Sequence, residues 1–154
     1  MTLVDSTQTT GWQLAGKNVC FKTKDNAHGQ FIMKTTGLLH SIKLVYKSGS
    51  VTCWTDQKMS NWGCDLGERI FVVVTDDKNN PIAPVNIKKE GNKIPPYESM
   101  SPEILLNITS KHVQFGDTFR LWYLKDLLDD REGYTSGETC VDVYTLVEGK
   151  ICIF

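Results

Sequence analysis

Arg69-Ile70-Phe71-Val72-Val73-Val74-Thr75 is the most strand-prone stretch of the chain. Three successive valines, each stiff about χ1, fit a pleated surface far better than a helix. The run is apolar without alternation, which reads as a central strand buried on both faces. It ends at Asp76-Asp77-Lys78-Asn79-Asn80-Pro81, a cluster of residues that favour turns.

Working outward from this strand, the same alphabet repeats on both sides. Upstream, Trp12 to Phe21 carries apolar positions at Trp12, Leu14, Val19 and Phe21, and Gln30 to Met33 is short and apolar. Ile42, Leu44 and Tyr46 alternate with Lys43, Val45 and Lys47, a period of two. Lys47-Ser48-Gly49-Ser50 then predicts a hairpin turn into Val51-Thr52-Cys53-Trp54. Downstream, four of the five prolines lie between Pro84 and Pro102, so this stretch is predicted to be irregular or at a sheet edge. Glu103 to Thr109, Phe119 to Tyr123 and Cys140 to Val147 read as strands, and Glu148-Gly149 as a tight turn into a terminal hairpin strand over 148–154. Only Trp122 to Asp130 hints at a helix, of one or two turns. Short strands without a long helix predict an all-β fold, an antiparallel sandwich or jelly roll. With 154 residues, no internal repeat and no linker, residues 1–154 read as one domain whose first ten residues are a flexible N-terminal segment.

Composition narrows the function classes. Basic and acidic residues are balanced, 17 against 18, and no basic stripe marks a nucleic-acid surface. The longest apolar runs, Ile70 to Val74 and Ile104 to Leu106, fall far short of the roughly 20 residues of a membrane span. The start, MTLVDSTQTTGWQL, lacks the basic and apolar regions of a signal peptide. The chain is therefore either cytosolic or the mature form of a secreted protein.

Five cysteines bear on that choice: Cys20, Cys53, Cys64, Cys140 and Cys152. None forms a C-x-x-C pair, which argues against zinc or thioredoxin-type chemistry. Cys53 and Cys64 flank the polar loop WTDQKMSNWG and would close it with a disulfide. Such a loop is worth on the order of 3 kcal/mol in the chain-entropy model. Cys20 and Cys140 lie in strand-like runs far apart in sequence, and bonding them would tie the ends of the chain together. Cys152 is then left as a free or intermolecular thiol. The alternative is five reduced, mostly buried thiols in a cytosolic protein. Asn107-Ile108-Thr109 is a glycosylation sequon and leans extracellular.

Catalytic signatures are missing: neither G-x-S-x-G nor H-E-x-x-H occurs, and His28, His40 and His112 are scattered. The expectation is a protein that is not an enzyme, with a hydrolase using the acidic loop as the weakest alternative. Two groups of residues stand out instead. Asp126, Asp129, Asp130, Glu132 and Asp142 bracket the loop REGYTSGET, an oxygen-rich segment of the kind that wraps calcium. Asp25, in a second oxygen-rich loop, becomes its neighbour if Cys20 bonds Cys140. Ordinary solvated acidic loops remain the competing reading. The second group is aromatic. Trp54 and Trp62 lie in the Cys53–Cys64 loop and Tyr134 in the acidic loop, where flat rings give contact area at low entropic cost. Trp62, beside Asn61 and Gly63, is the better surface candidate; Trp122 reads as core.

The segments FRLWYLKDLLDDREGYTSGETCVDVYTL, GWQLAGKNVCF, LVYKSGSVTCW and NWGC together resemble a group of secreted cnidarian β-rich domains, in which an acidic loop leads to a G-x-T-C-x-D-V-Y strand. The likeness runs from Gly11 to Leu146. It implies an extracellular β-rich domain in which Cys20, Cys53, Cys64 and Cys140 form disulfides; Cys152 departs from the pattern.

The leading expectation is thus a secreted, non-enzymatic binding module of lectin or extracellular-matrix type. It would be calcium-stabilised and would bind a glycan or an extracellular protein. A carrier of a small apolar ligand, such as a pigment or lipid, is the rival. The apolar tail Ile151-Cys152-Ile153-Phe154 offers an edge for homo-oligomer formation, or else completes the core.

Overall fold

The computed structural model of the chain describes residues 4–55, 58–64, 68–130 and 132–153; for 4–10, 132 and 150–153 the description is of the backbone. Among the described residues ten strands carry the fold: β1 (Val4–Lys22), β2 (Gly29–Ile32), β3 (Gly37–Thr52), β4 (Gly63–Cys64), β5 (Arg69–Ile70), β6 (Val72–Asp76), β7 (Pro81–Ala83), β8 (Glu103–Val113), β9 (Thr118–Tyr123) and β10 (Ser136–Ile153). One helical turn, α1 (Leu124–Leu127), and a 3-10 turn, Glu132–Tyr134, join β9 to β10.

The larger sheet has the order β1-β10-β3-β8 and the second β2-β9-β6-β7, with β4-β5 as a separate ladder. All pairings are antiparallel. Inner rows of the two sheets form one core. From the larger sheet come Leu39, Ile42, Leu44, Ile104, Leu106, Val141 and Val143; from the second come Phe31, Val72, Val74, Phe119 and Leu121. Each such side chain, fully removed from water, contributes on the order of 1.5–3 kcal/mol. Ile70 to Thr75 are all buried, as the opening stretch predicts, and β6 sits between β9 and β7.

Both disulfides form, Cys20–Cys140 and Cys53–Cys64. Cys20 and Cys140 are direct cross-strand partners, with Cα atoms 4.0 Å apart, so this bond rivets the edge strand β1 to β10 near one end of their ladder.

Three expectations of local sequence are corrected. Lys47-Ser48-Gly49-Ser50 is not a hairpin turn, because β3 runs through it from Gly37 to Thr52. The glycine answers to the neighbouring strand: at φ +86° it lies against β10, where a Cβ would meet the Glu138 carbonyl oxygen at 2.0 Å. The ladder absorbs the extra residue as a bulge between Cys140 and Val141. Glu148-Gly149 is not a turn either. They pair with Thr9 and Gln8 of β1 inside β10, so no terminal hairpin exists over 148–153. The same ladder places Val4 to Thr10 in β1 rather than in a loose N-terminal segment. In each case pairing along a long ladder outweighs weak turn propensity.

Candidate functional site

β3 ends at Thr52, and the Cys53–Cys64 bond holds the chain there. The Thr52 hydroxyl donates to the Trp54 carbonyl at 2.6 Å and fixes the bend that lifts Trp54 off the sheet. On the other side, the 3-10 turn carries Tyr134 to the same place, anchored by the buried Thr135, whose hydroxyl reaches the Thr23 carbonyl at 3.4 Å. The two rings stack, with centroids 4.5 Å apart and planes inclined by 17°. Trp54 is half-buried beneath, while Tyr134 stays 50% exposed.

Lys125 of α1 braces the pair from below. Its ammonium donates to the Cys53 carbonyl at 2.7 Å, and lies 5.5 Å from the Trp54 ring and 5.3 Å from the Phe71 ring. Phe71 in turn stacks on the buried Tyr123 at 5.6 Å. Burial pushes the Tyr123 hydroxyl pKa up, so it stays neutral. A cation held over ring faces in a partly dry setting stiffens the base of the platform. Sequence reasoning passed over Lys125, since a lysine in a short acidic helix carries no signal of its own.

Trp62, the favoured surface candidate, is corrected: it is fully buried. Its indole N–H donates to the Ser101 carbonyl at 2.7 Å, and Tyr46 packs edge-on at 6.5 Å. The proline-rich segment 84–102, which looks like free loop, folds back to cover it; the Asn61 and Trp62 amides both bond to the Ser99 carbonyl. Trp122 is core, as expected.

The acidic residues have separate duties. Asp126 is buried, and its carboxylate accepts the Asn26 and Ala27 amides, each at 3.0 Å. The loop carrying Asp25 is therefore clamped to α1. His28, in that loop, packs 4.6 Å from Trp122. Burial, and then the Arg120 charge, lower its pKa, against the Asn26 hydrogen bond and the Asp126 charge. Asp142 accepts the Asn18 amide at 2.9 Å and pairs with Lys47 at 3.4 Å. Asp130 faces Lys89 at 3.9 Å, and Asp129 is exposed in a left-handed conformation, φ +52°. The Glu132 side chain and the Cys152 thiol lie outside the described residues. Among the described residues, the group of three potential metal donors that does converge is Cys20, Glu138 and Cys140, and its two sulfurs are bonded to each other. Among the described residues no helix is long and apolar enough to cross a membrane.

No family model and no curated protein matches the chain. A solved structure does: AJLec from the sea anemone Anthopleura japonica superposes with a TM-score of 0.80 at 30% identity, over 88% of this chain and 96% of that one. The chain belongs to the AJLec family. That relationship agrees with the resemblance to cnidarian β-rich domains, at the level of fold and source. Family membership accounts for the sandwich; which side chains meet a ligand is a matter for the surface of this chain.

Proposed function

We propose that this protein is a secreted, non-enzymatic, lectin-like module that binds glycans on the exposed face of the Trp54–Tyr134 stack. The observation that carries the reading is the pair itself: two nearly parallel, stacked rings, one half exposed, set on a disulfide-closed loop and a braced turn. A sugar presents one face of C–H groups, and a fixed flat ring buries that face without losing rotamer freedom. The family member's name, AJLec, supports a lectin-like role, and the two disulfides suit an oxidising compartment.

A glycan array probed with the wild type, Trp54→Ala and Tyr134→Ala tests this. We expect binding by the wild type and its loss in both variants. Full binding by Tyr134→Ala removes the platform, and silence of the wild type across the array removes the lectin reading.

Calcium at the acidic turn is a second part of the proposal. Asp126 and Asp142 are engaged by amides and a lysine and Asp130 faces Lys89, so Asp129 and Asp25 are its remaining described donors, with Asp130 joining them only by leaving that lysine. Melting with calcium and with a chelator checks it: a rise in midpoint with the ion is expected, and identical curves reject it.

A further inference from the structure

The outward face of the larger sheet carries an apolar patch. Cross-strand partners point to the same side of a sheet. One row across its four strands is therefore Trp12–Leu146–Ser41–Asn107, and the next is Leu14–Tyr144–Lys43–Leu105. The intervening row, Ile42 and Leu106 with Thr145, is buried, which fixes the first two as outward. Trp12 is 36% and Leu14 43% exposed, and no described segment covers them. Lys43 lies among them, its ammonium 4.7 Å from the Trp12 ring and 5.2 Å from the Tyr144 ring.

The Asn107-Ile108-Thr109 sequon begins in the first of these rows. Asn107 and Thr109 are both exposed on β8, an edge strand of this sheet. We infer that Asn107 carries an N-linked glycan whose core lies back across this face and covers Leu146, Tyr144 and Trp12. The linkage is an N-glycosidic bond from the Asn107 amide nitrogen to the anomeric carbon of the first sugar; the lipid-diphosphate carrier of the donor leaves from that carbon, and the amide nitrogen gives up one proton. From Asn107 to Trp12 is three strand spacings, on the order of 14 Å, within reach of a branched core of a few rings. The chemistry of the face fits this occupant. Ring faces and aliphatic edges meet the C–H sides of sugars, and the Lys43 ammonium donates to their hydroxyls. A second copy fits less well, since a twofold contact centred here brings two Lys43 charges together. The two disulfides suit a compartment where such a modification occurs.

The test is secretion of the full chain from a glycosylating eukaryotic host, with intact-mass analysis and hydroxyl-radical footprinting of Trp12. We expect a glycan mass increment that disappears in Asn107→Gln and in Thr109→Ala. We also expect less Trp12 oxidation in the secreted protein than in the same protein after enzymatic removal of the glycan, a comparison that needs no variant to fold. An unmodified Asn107 overturns the inference. A modified Asn107 with Trp12 oxidation unchanged by deglycosylation overturns the covering of the face. If the deglycosylated protein protects Trp12 only as it dimerises at high concentration, the occupant is a second copy and the inference fails. None of these outcomes bears on glycan binding at Tyr134, which the array reads separately.

Discussion

Trp54 and Trp62 belong to the same disulfide-closed loop, with similar polar neighbours, yet one lies at the surface and the other is fully buried. Trp54 leans outward onto Tyr134, which comes from the far end of the chain. Trp62 turns inward under the segment 99–101, which supplies the acceptors for its indole and amide. The difference teaches that a tryptophan's role in such a loop depends on which distant segment meets it. A ring covered by backbone with a matched acceptor becomes core; a ring met by another half-exposed ring becomes a platform.

The largest effect should come from the buried ring. Trp62→Ala is expected to cost about 3–5 kcal/mol, the usual range for emptying an aromatic core site, read by urea unfolding. A cost no greater than that of Trp54→Ala would break the contrast. Next is the clamp that sets the acidic turn beneath the platform. Asp126→Ala leaves the Asn26 and Ala27 amides without their acceptor, and each hydrogen bond to a charged group is worth about 1.5–3 kcal/mol. We expect a loss of that order or more, with faster hydrogen exchange at those two amides. Unchanged exchange would mean that the clamp is not what holds the loop.

Trp54→Ala and Tyr134→Ala should barely alter stability, by about 0.5–1.5 kcal/mol for a lost aromatic pair, while abolishing glycan binding. That separation of stability from binding is the sharpest form of the contrast with Trp62. The smallest effect concerns pH. His28 has its pKa lowered from 6.5, first by burial and then by Arg120. Its neutral form is the one the fold accommodates, so its contribution is complete above pH 6.5 and is lost as pH falls below it, where the unfolded chain takes up a proton first. A melting midpoint that declines over that window, and declines less in His28→Gln, is expected; parallel profiles would contradict it.

Much of the sandwich was legible because its signals are local. The Ile70–Val74 run and the Ile42–Leu44 alternation report burial directly, since side-chain period and strand geometry are the same fact. The candidate site was legible by halves: Trp54 and Tyr134 could be named, but not their contact. The turn signatures at Lys47–Ser50 and Glu148–Gly149 misled because glycine serves close strand approach as well as reversal. Two members of the acidic cluster, Asp126 and Asp142, accept amides of distant segments, contacts that no local pattern signals.

The sequence by itself determined that this is a β protein and where its main buried strands lie, and it named four cysteines as disulfide candidates. Those properties depend on residue type, period and a few covalent options. Only the tertiary structure decided which tryptophan faces water, that Asp126 clamps a loop, and that an aromatic row and a sequon share one sheet face. Each of these joins residues dozens of positions apart, and their meeting is set by the register of long ladders rather than by any local preference.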